Sequence, residues 1–287
     1  MDKNIRDITK LRYYEVSQKN PIEMKLGKTT RKKLYHYTTS AGAKGILESN
    51  TLFATQSNYL DDVTEIRYIS TVLKGVVMYL KQNEKLYDKG VAGYSIIYEA
   101  IIETFEGLSE IYKYGAPISG SSLYLLSLTE NKNNKYLYEN YCRKDGHNGA
   151  VLEFRNNVDD MFKHNKHVMC IGSARVEYHL KRQMTSILKD INEFYAEILT
   201  TLVNEETIVD YVAAIETVRR VIEMKVMNYS FFFKHVNYAK EEEYRAVFLI
   251  DDPDNIFVKH RTILGIKKPY IELNFKPESL IKTKYID

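Results

Sequence analysis

The chain has 287 residues, of which 44% are hydrophobic and 28% charged, enough to bury a sizeable core and unlike a disordered or fibrous sequence. Its 41 basic and 38 acidic residues leave a formal charge of only +3, which does not by itself call for nucleic acid. Two cysteines, Cys142 and Cys170, exclude a disulfide framework, and no apolar run is long enough to span a membrane, so the sequence predicts a soluble, cytoplasmic protein.

Residues 33–38 read as a short strand, and "SAGAKGILESN" opens a helix at Ser40 that ends near Asn50. "TLFATQSNYLDD" alternates as a strand and then turns. From Val63 to Gln82 the apolar residues Ile66, Ile69, Val72, Leu73, Val76 and Leu80 keep helical spacing, and 94–114 form a second helix. The strands "SSLYLLSLTE" and "GAVLEF" flank a segment holding a short helix and a polar loop. "ARVEYH" reads as a strand, a helical block covers 182–236 with a break near 204–206, and the last fifty residues supply the strands "EEYRAVFLI", "RTILGIK", "YIELNF" and "LIKTKYI". Helices and strands are segregated, which predicts an α+β domain over 1–287 with a mainly antiparallel sheet.

The charge is unevenly spread. Lys25, Lys28, Arg31, Lys32 and Lys33 cluster early. Lys259, His260, Arg261, Lys267, Lys268, Lys276, Lys282 and Lys284 stud the C-terminus, either as solvated surface or as a phosphate-binding patch. Tyrosine is abundant, 24 against 11 Phe and no Trp, and most of it is expected at half-buried positions. Neither a Rossmann nor a P-loop glycine pattern occurs. His164 and His167 near Cys170 lack a third ligand at a metal-binding spacing, so no metal site is predicted.

Four polar knots remain. In Tyr35-His36-Tyr37-Thr38, strand alternation places His36 and Thr38 on one face, expected to look into a cleft, and the two tyrosines on the other, expected to pack. In Asn58–Glu65, Asp61 or Asp62 suits a helix cap and Glu65 a capping-box acid. Ser127-Leu128-Thr129-Glu130 precedes Tyr138 and Tyr141, which share a face if their segment is α-helical; two such rings either pack the core or form a plate for an aromatic ligand. In "AKEEEYRAVF", Glu241, Glu243 and Arg245 share one strand face while Tyr244, Ala246 and Phe248 take the other, and the arginine keeps the carboxylates ionised.

In this order the knots resemble the bacterial family known as domain of unknown function 2971. The resemblance rests on Tyr35-His36-Tyr37-Thr38 with Ile46, Leu47 and Ser49, and on Leu60–Glu65, which departs from the family's turn at Asp61 and Val63. It continues through Ser127–Glu130, Tyr138 (in place of the usual tryptophan) with Tyr141, Gly149, Lys234-His235 and Glu241-x-Glu243-x-Arg245, spanning roughly 33–265. The histidine string before a helix and the late strand glutamate also resemble the ADP-ribosyltransferase superfamily. That resemblance implies a split sheet of that type with helical insertions, and NAD as substrate without a Rossmann motif. It implies that His36 holds the ribose and nicotinamide region with support from Thr38, and that Tyr138 or Tyr141 stacks on nicotinamide. Glu243 becomes the catalytic acid, Glu241 orients the acceptor, and Tyr37, Ser127 and Arg245 complete the NAD-binding set. Positive charge builds on the ribose as its bond to nicotinamide breaks, so a fixed carboxylate beside it lowers the barrier.

The leading expectation is an ADP-ribosyltransferase acting as a bacterial or phage toxin or antiphage effector, on RNA, DNA or protein, with an antitoxin or defence-system partner. The alternatives are a non-enzymatic module that binds nucleic acid or a partner, and an NAD glycohydrolase that passes the same group to water.

Overall fold

In the computed structural model of the chain, residues 32–60, 64–88, 90, 93–115, 123–143, 148–204, 211–250, 256–263 and 265–286 are described. They group into two compact units. One comprises the described residues of Leu26–Val63, Ile118–Val176 and Lys234–Asp287, the other those of Thr64–Pro117 and Glu177–Phe233. The architecture is a mixture of helices and antiparallel sheet, as the segregated pattern predicts.

The first unit carries every described strand: β1 (Lys33–Thr39), β2 (Thr51–Gln56), β3 (Leu123–Thr129), β4 (Gly149–Arg155), β5 (Val168–Arg175), β6 (Glu243–Ile250), β7 (Lys259–Ile263), β8 (Ile266–Asn274) and β9 (Leu280–Ile286). Their order is β7-β8-β2-β3-β1-β4-β9, with β6 pairing β3 and β5. Along one edge β3 pairs fully with β6, from Leu123↔Leu249 to Thr129↔Glu243. Along its other edge it meets two different strands: Thr55 and Gln56 of β2 near its start, and Tyr35 of β1 at its end. Beyond those points β1 follows β4 and β2 follows β8. The sheet therefore forks at the middle of β3.

Helix α1 (Ser40–Ser49) bridges the two arms of the fork. It opens at Ser40 as expected, capped by Thr39, whose side chain accepts from Gly42 N–H at 3.1 Å, and Asn50 closes it in the left-handed region. Gly42 lets the helix seat on β1, because a side chain there would overlap the Thr38 hydroxyl. Beneath one face of the sheet lies an apolar core of Leu34, Leu52, Ala54, Tyr124, Leu126, Leu128, Leu152, Phe154, Tyr244, Ala246, Phe248, Leu273 and their neighbours. Burying each such Leu or Phe contributes about 1.5–3 kcal/mol. The expected assignment of Tyr244, Ala246 and Phe248 to the packed face of β6 is what the sheet shows.

The second unit is helical: α2 (Ile69–Gln82), α3 (Tyr94–Tyr114), α4 (Leu180–Asn204) and α5 (Tyr211–Ser230). α2 packs on α3 and α4, and α3 on α5. All six apolar residues picked out between Val63 and Gln82 are buried. Several tyrosines serve this core by turning a hydroxyl to backbone, as Tyr98 does to the Leu80 carbonyl at 2.7 Å and Tyr195 to that of Tyr87 at 3.1 Å. No described helix is long and apolar enough to cross a membrane.

Some boundaries differ from the sequence expectation. "ARVEYH" is not a strand of its own: β5 lies earlier, where Val168–Arg175 pairs with β6. "RTILGIK" divides into β7 and β8 at Gly265, whose φ of +77° makes the hairpin turn. The helical block breaks after Asn204, as expected, but its second helix ends at Ser230, and the expected end near 236 is the start of a 3₁₀ turn, Val236–Glu241. Asp61, Asp62 and Val63 lie outside the described residues, as do Lys25, Lys28 and Arg31. Glu65 is buried before the 3₁₀ turn Ile66–Tyr68, and the α2 N-cap residue, Tyr68, makes no side-chain capping bond.

Candidate functional site

β6 begins where Glu242 takes a left-handed conformation, φ +47°. That residue is tied to the end of β3: its carbonyl accepts from the Thr129 hydroxyl at 2.8 Å, and its carboxylate accepts from the Asn131 amide. Glu243 and Arg245 then share one face of β6, as alternation requires. Glu241 lies in the preceding turn and not on the strand. It joins the group through Lys234, whose ammonium donates to Glu241 at 2.7 Å and to Glu243 at 3.1 Å.

Glu243 is the centre of this knot. Arg245 grips it bidentately, Nε to Oε1 and Nη2 to Oε2, each at 2.7 Å, and the Ser127 hydroxyl donates to Oε1 at 2.6 Å. Glu241, Glu243, Arg245 and Lys234 are all buried, whereas Ser127 is exposed. Burial alone pushes the Glu243 carboxyl up. The Arg245 and Lys234 charges, with the hydrogen bonds from Arg245 and Ser127, outweigh it and hold the group well below the usual carboxylate range.

His36 reaches the same residue of β3 from the other side. Where β1 leaves β3, the imidazole donates to the Ser127 carbonyl, a backbone group with no ladder partner on that edge. Burial pushes the His36 pKa down to about 4, against the opposing effect of that hydrogen bond, and the Arg261 charge lowers it further. The ring is therefore neutral at pH 7. Arg261, on β7, donates from Nη2 to the Thr55 hydroxyl at 3.1 Å and lies over the rings of Phe53 and Tyr270. Its Nε is buried with no hydrogen-bond partner among the described residues.

Thus Ser127, Glu243 and Arg245 meet on one face of the sheet, with Glu241 and Lys234 beside them, whereas His36 reaches only the Ser127 carbonyl and alternates to the opposite face, that of Leu34, Leu126 and Leu128. It does not gather the rest of the expected set. Tyr35 and Tyr37 point away from His36, to the face that also carries Thr129 and Glu243, where with Tyr138, Val151, Glu153 and others they line a cavity of about 250 Å³. His36, Thr38, Ser127 and Glu243 do not line it. The Tyr37 hydroxyl is committed to the 131–134 turn, donating to the Asn131 carbonyl at 3.0 Å and accepting from Asn134 N–H at 2.9 Å. Thr38 packs at Gly42 of α1.

Of the two arrangements open to Tyr138 and Tyr141, core packing or a shared plate, Tyr138 takes the first and the pair does not form the second. One α turn, Lys135–Leu137, widens into a π turn, Tyr138–Cys142, closed by Arg143 N–H donating to the Tyr138 carbonyl at 3.1 Å. In this wider turn Tyr138 and Cys142 come to one side, against Tyr35, Tyr37 and Val151, and Tyr141 is exposed. Cys142 is buried, its thiol pushed up by burial, and it packs so closely on Gly149 that a side chain there would overlap its Cβ.

Two contributors were not among the residues singled out for the site. Lys234 is foreshadowed only by the quoted Lys-His pair, and Arg261 only by its place in the basic C-terminus. Among curated proteins and among solved structures, none matches the chain. Residues 137–246, which carry Tyr138, Gly149, Lys234 and the Glu241–Arg245 strand start, match the family described as protein of unknown function DUF2971, the family that the chain's motifs resemble.

Proposed function

We propose that the fork is a site of ADP-ribosyl transfer from NAD. The observation that carries this reading is Glu243, fixed on β6 by Arg245, Lys234 and the exposed Ser127 hydroxyl where β1 and β2 part, with His36 contacting the same residue of β3 through its carbonyl from the opposite face of the sheet. The residues present fit the dinucleotide chemically. A neutral imidazole that donates through one nitrogen keeps the other as an acceptor, suited to a ribose hydroxyl. The orphaned Nε of Arg261 is a donor suited to phosphate. Glu243, held ionised and fixed by Arg245 and Lys234, is the charge that stabilises a ribose becoming positive. A preorganised group of this kind is worth roughly a hundredfold or more in rate.

One observation favours a second reading. Four donor contacts, from Ser127, Arg245 twice and Lys234, fill both oxygens of Glu243, as expected of a structural ion knot in a binding module.

The two separate by assay. The full chain is incubated with NAD labelled on the adenosine side, with RNA, DNA and protein acceptors, and nicotinamide release is followed. Transfer to an acceptor supports the transferase, and free ADP-ribose alone supports the same site acting on water. Ser127→Ala removes one of the four donors to Glu243, at an exposed position, and leaves Arg245 and Lys234 on the carboxylate, so the fold is expected to survive while turnover falls at least tenfold. A folded wild-type chain that releases no nicotinamide with any acceptor overturns the reading. Loss of NAD in cells expressing the wild type, but not Ser127→Ala, would support the proposed toxin or defence role.

A further inference from the structure

We infer that the cavity over β1, β4 and β9 is a binding site for a nucleoside phosphate, separate from the fork. Its interior is ringed by Tyr35, Tyr37 and Tyr138 beside Val151. Tyr35 and Tyr37 are fixed by the strand, and Tyr138 is held by the π turn with the Arg143 guanidinium 5.4 Å from its ring centre. Flat apolar walls of this kind suit a flat ring.

The rim supplies the opposite chemistry. Lys132, Lys135, Lys282 and Lys284 line it against a single carboxylate, Glu153. That carboxylate is already engaged: it accepts from Lys33, and Lys132 stands 3.7 Å away. The Lys33 hydrogen bond, with the charges of Lys33 and Lys132, outweighs burial and lowers its pKa. Lys135, Lys282 and Lys284 make no ion pair among the described residues. Lys282 and Lys284 project from one face of β9, opposite Glu153 and Val151, and so present two cations at a fixed spacing.

An aromatic pocket with surplus positive charge fits a ligand that is flat at one end and anionic at the other. A nucleoside phosphate has both features. The volume, about 250 Å³, is near the lower end for small-molecule pockets and holds one base with its sugar better than a dinucleotide. The ligand is then either a free mononucleotide or one unit of a single strand, its base against the tyrosines and its phosphates at the lysines. This site stands whether or not the fork turns over NAD.

The test uses the full chain with short labelled RNA and DNA single strands, and adenosine monophosphate as competitor. Binding of a strand, or of the mononucleotide alone, supports the site and tells the two sources apart. Tyr138→Ala is expected to weaken binding about tenfold, and Tyr138→Phe to stay within about twofold, since stacking needs the ring and not the hydroxyl. The double substitution Lys282→Ala with Lys284→Ala, at exposed positions that leave the fold alone, is expected to lower the salt dependence of single-strand binding by about 1.4 in log–log slope. The inference is overturned if neither ligand binds. It is equally overturned if binding is unchanged by both Tyr138→Ala and the lysine pair.

Discussion

The fork and the cavity belong to the same sheet, but their charges are arranged in opposite ways. At the fork two cations, Lys234 and Arg245, meet two anions, Glu241 and Glu243, all four of them buried. At the cavity four lysines surround one carboxylate and remain largely in water. A balanced buried set fixes geometry: each member is held by partners, and removing one strands the others in a medium of low polarity. A cationic rim fixes little, since exposed like charges are screened, and it leaves attraction in reserve for an incoming anion. The sheet thus separates a rigid, preorganised centre from a receptive one.

The largest effect that would break this contrast concerns Glu243. Glu243→Gln leaves Arg245 and Lys234 with one carboxylate between them, and urea unfolding is expected to show a loss of about 3–5 kcal/mol. A loss under about 1 kcal/mol would mean that water reaches the knot and that its rigidity is overstated.

Acid should separate the two elements of the fork. His36 has a folded pKa of about 4 against an ordinary value of 6.5, so the unfolded chain takes up its proton first as pH falls. The stability that depends on neutral His36 is full above about pH 6.5 and is lost between there and about pH 4, by roughly 1–3 kcal/mol. Glu243, with its pKa lowered, contributes stability that is full above the ordinary carboxylate range and is lost at more acid pH. His36→Asn should therefore flatten the upper part of the pH–stability curve and leave the lower part. Glu243→Gln should do the reverse. One variant that flattened both would show the residues to titrate as a single group.

Local periodicity made much of the molecule legible. Helix α3 occupies 94–114 as its spacing predicts, and the inward residues of α2 and β6 were visible as patterns of period 3.6 and 2. The fork was not visible. It arises because β3 is shared at one edge by β1 and β2, and strand register is a long-range property that no window of sequence carries. The π turn was missed because one extra residue in a turn leaves composition unchanged yet rotates Tyr141 away from Tyr138. The sequence places two strands in this region but not the turn between them, because apolar residues stand on both sides of Gly265 and the alternation runs through it. Of the expected site, Glu243, Arg245 and Ser127 converge through tertiary pairing, His36 meets only the Ser127 carbonyl from the opposite face, and Tyr37 and Tyr138 line the cavity.

A smaller effect tests how the cavity wall is held. Tyr37→Phe keeps the ring but removes the hydroxyl that accepts from Asn134 N–H and donates to the Asn131 carbonyl. Asn134 is buried, so its amide is left without this partner, and a cost of about 1–2 kcal/mol is expected in thermal or urea unfolding. The 131–134 turn also carries Lys132, so ligand affinity at the cavity should fall with stability if the wall is one unit.

The smallest effect has the opposite sign. Lys282 and Lys284 are exposed, make no ion pair among the described residues, and stand near Lys132 and Lys135 around the cavity. Replacing both with alanine removes mutual repulsion and no stabilising contact. Stability is expected to change by no more than about 0.5 kcal/mol, in the direction of a gain that shrinks as salt is added. Thermal melts of the double variant at low and high salt would measure it. A clear loss of stability would mean that these lysines are bound into the sheet as Arg245 is into its knot, and the contrast between fork and cavity would fail. A neutral or positive change, set beside the loss at Glu243, would identify the rim as charge kept exposed at no benefit to the fold, which is the signature of a surface held for a ligand.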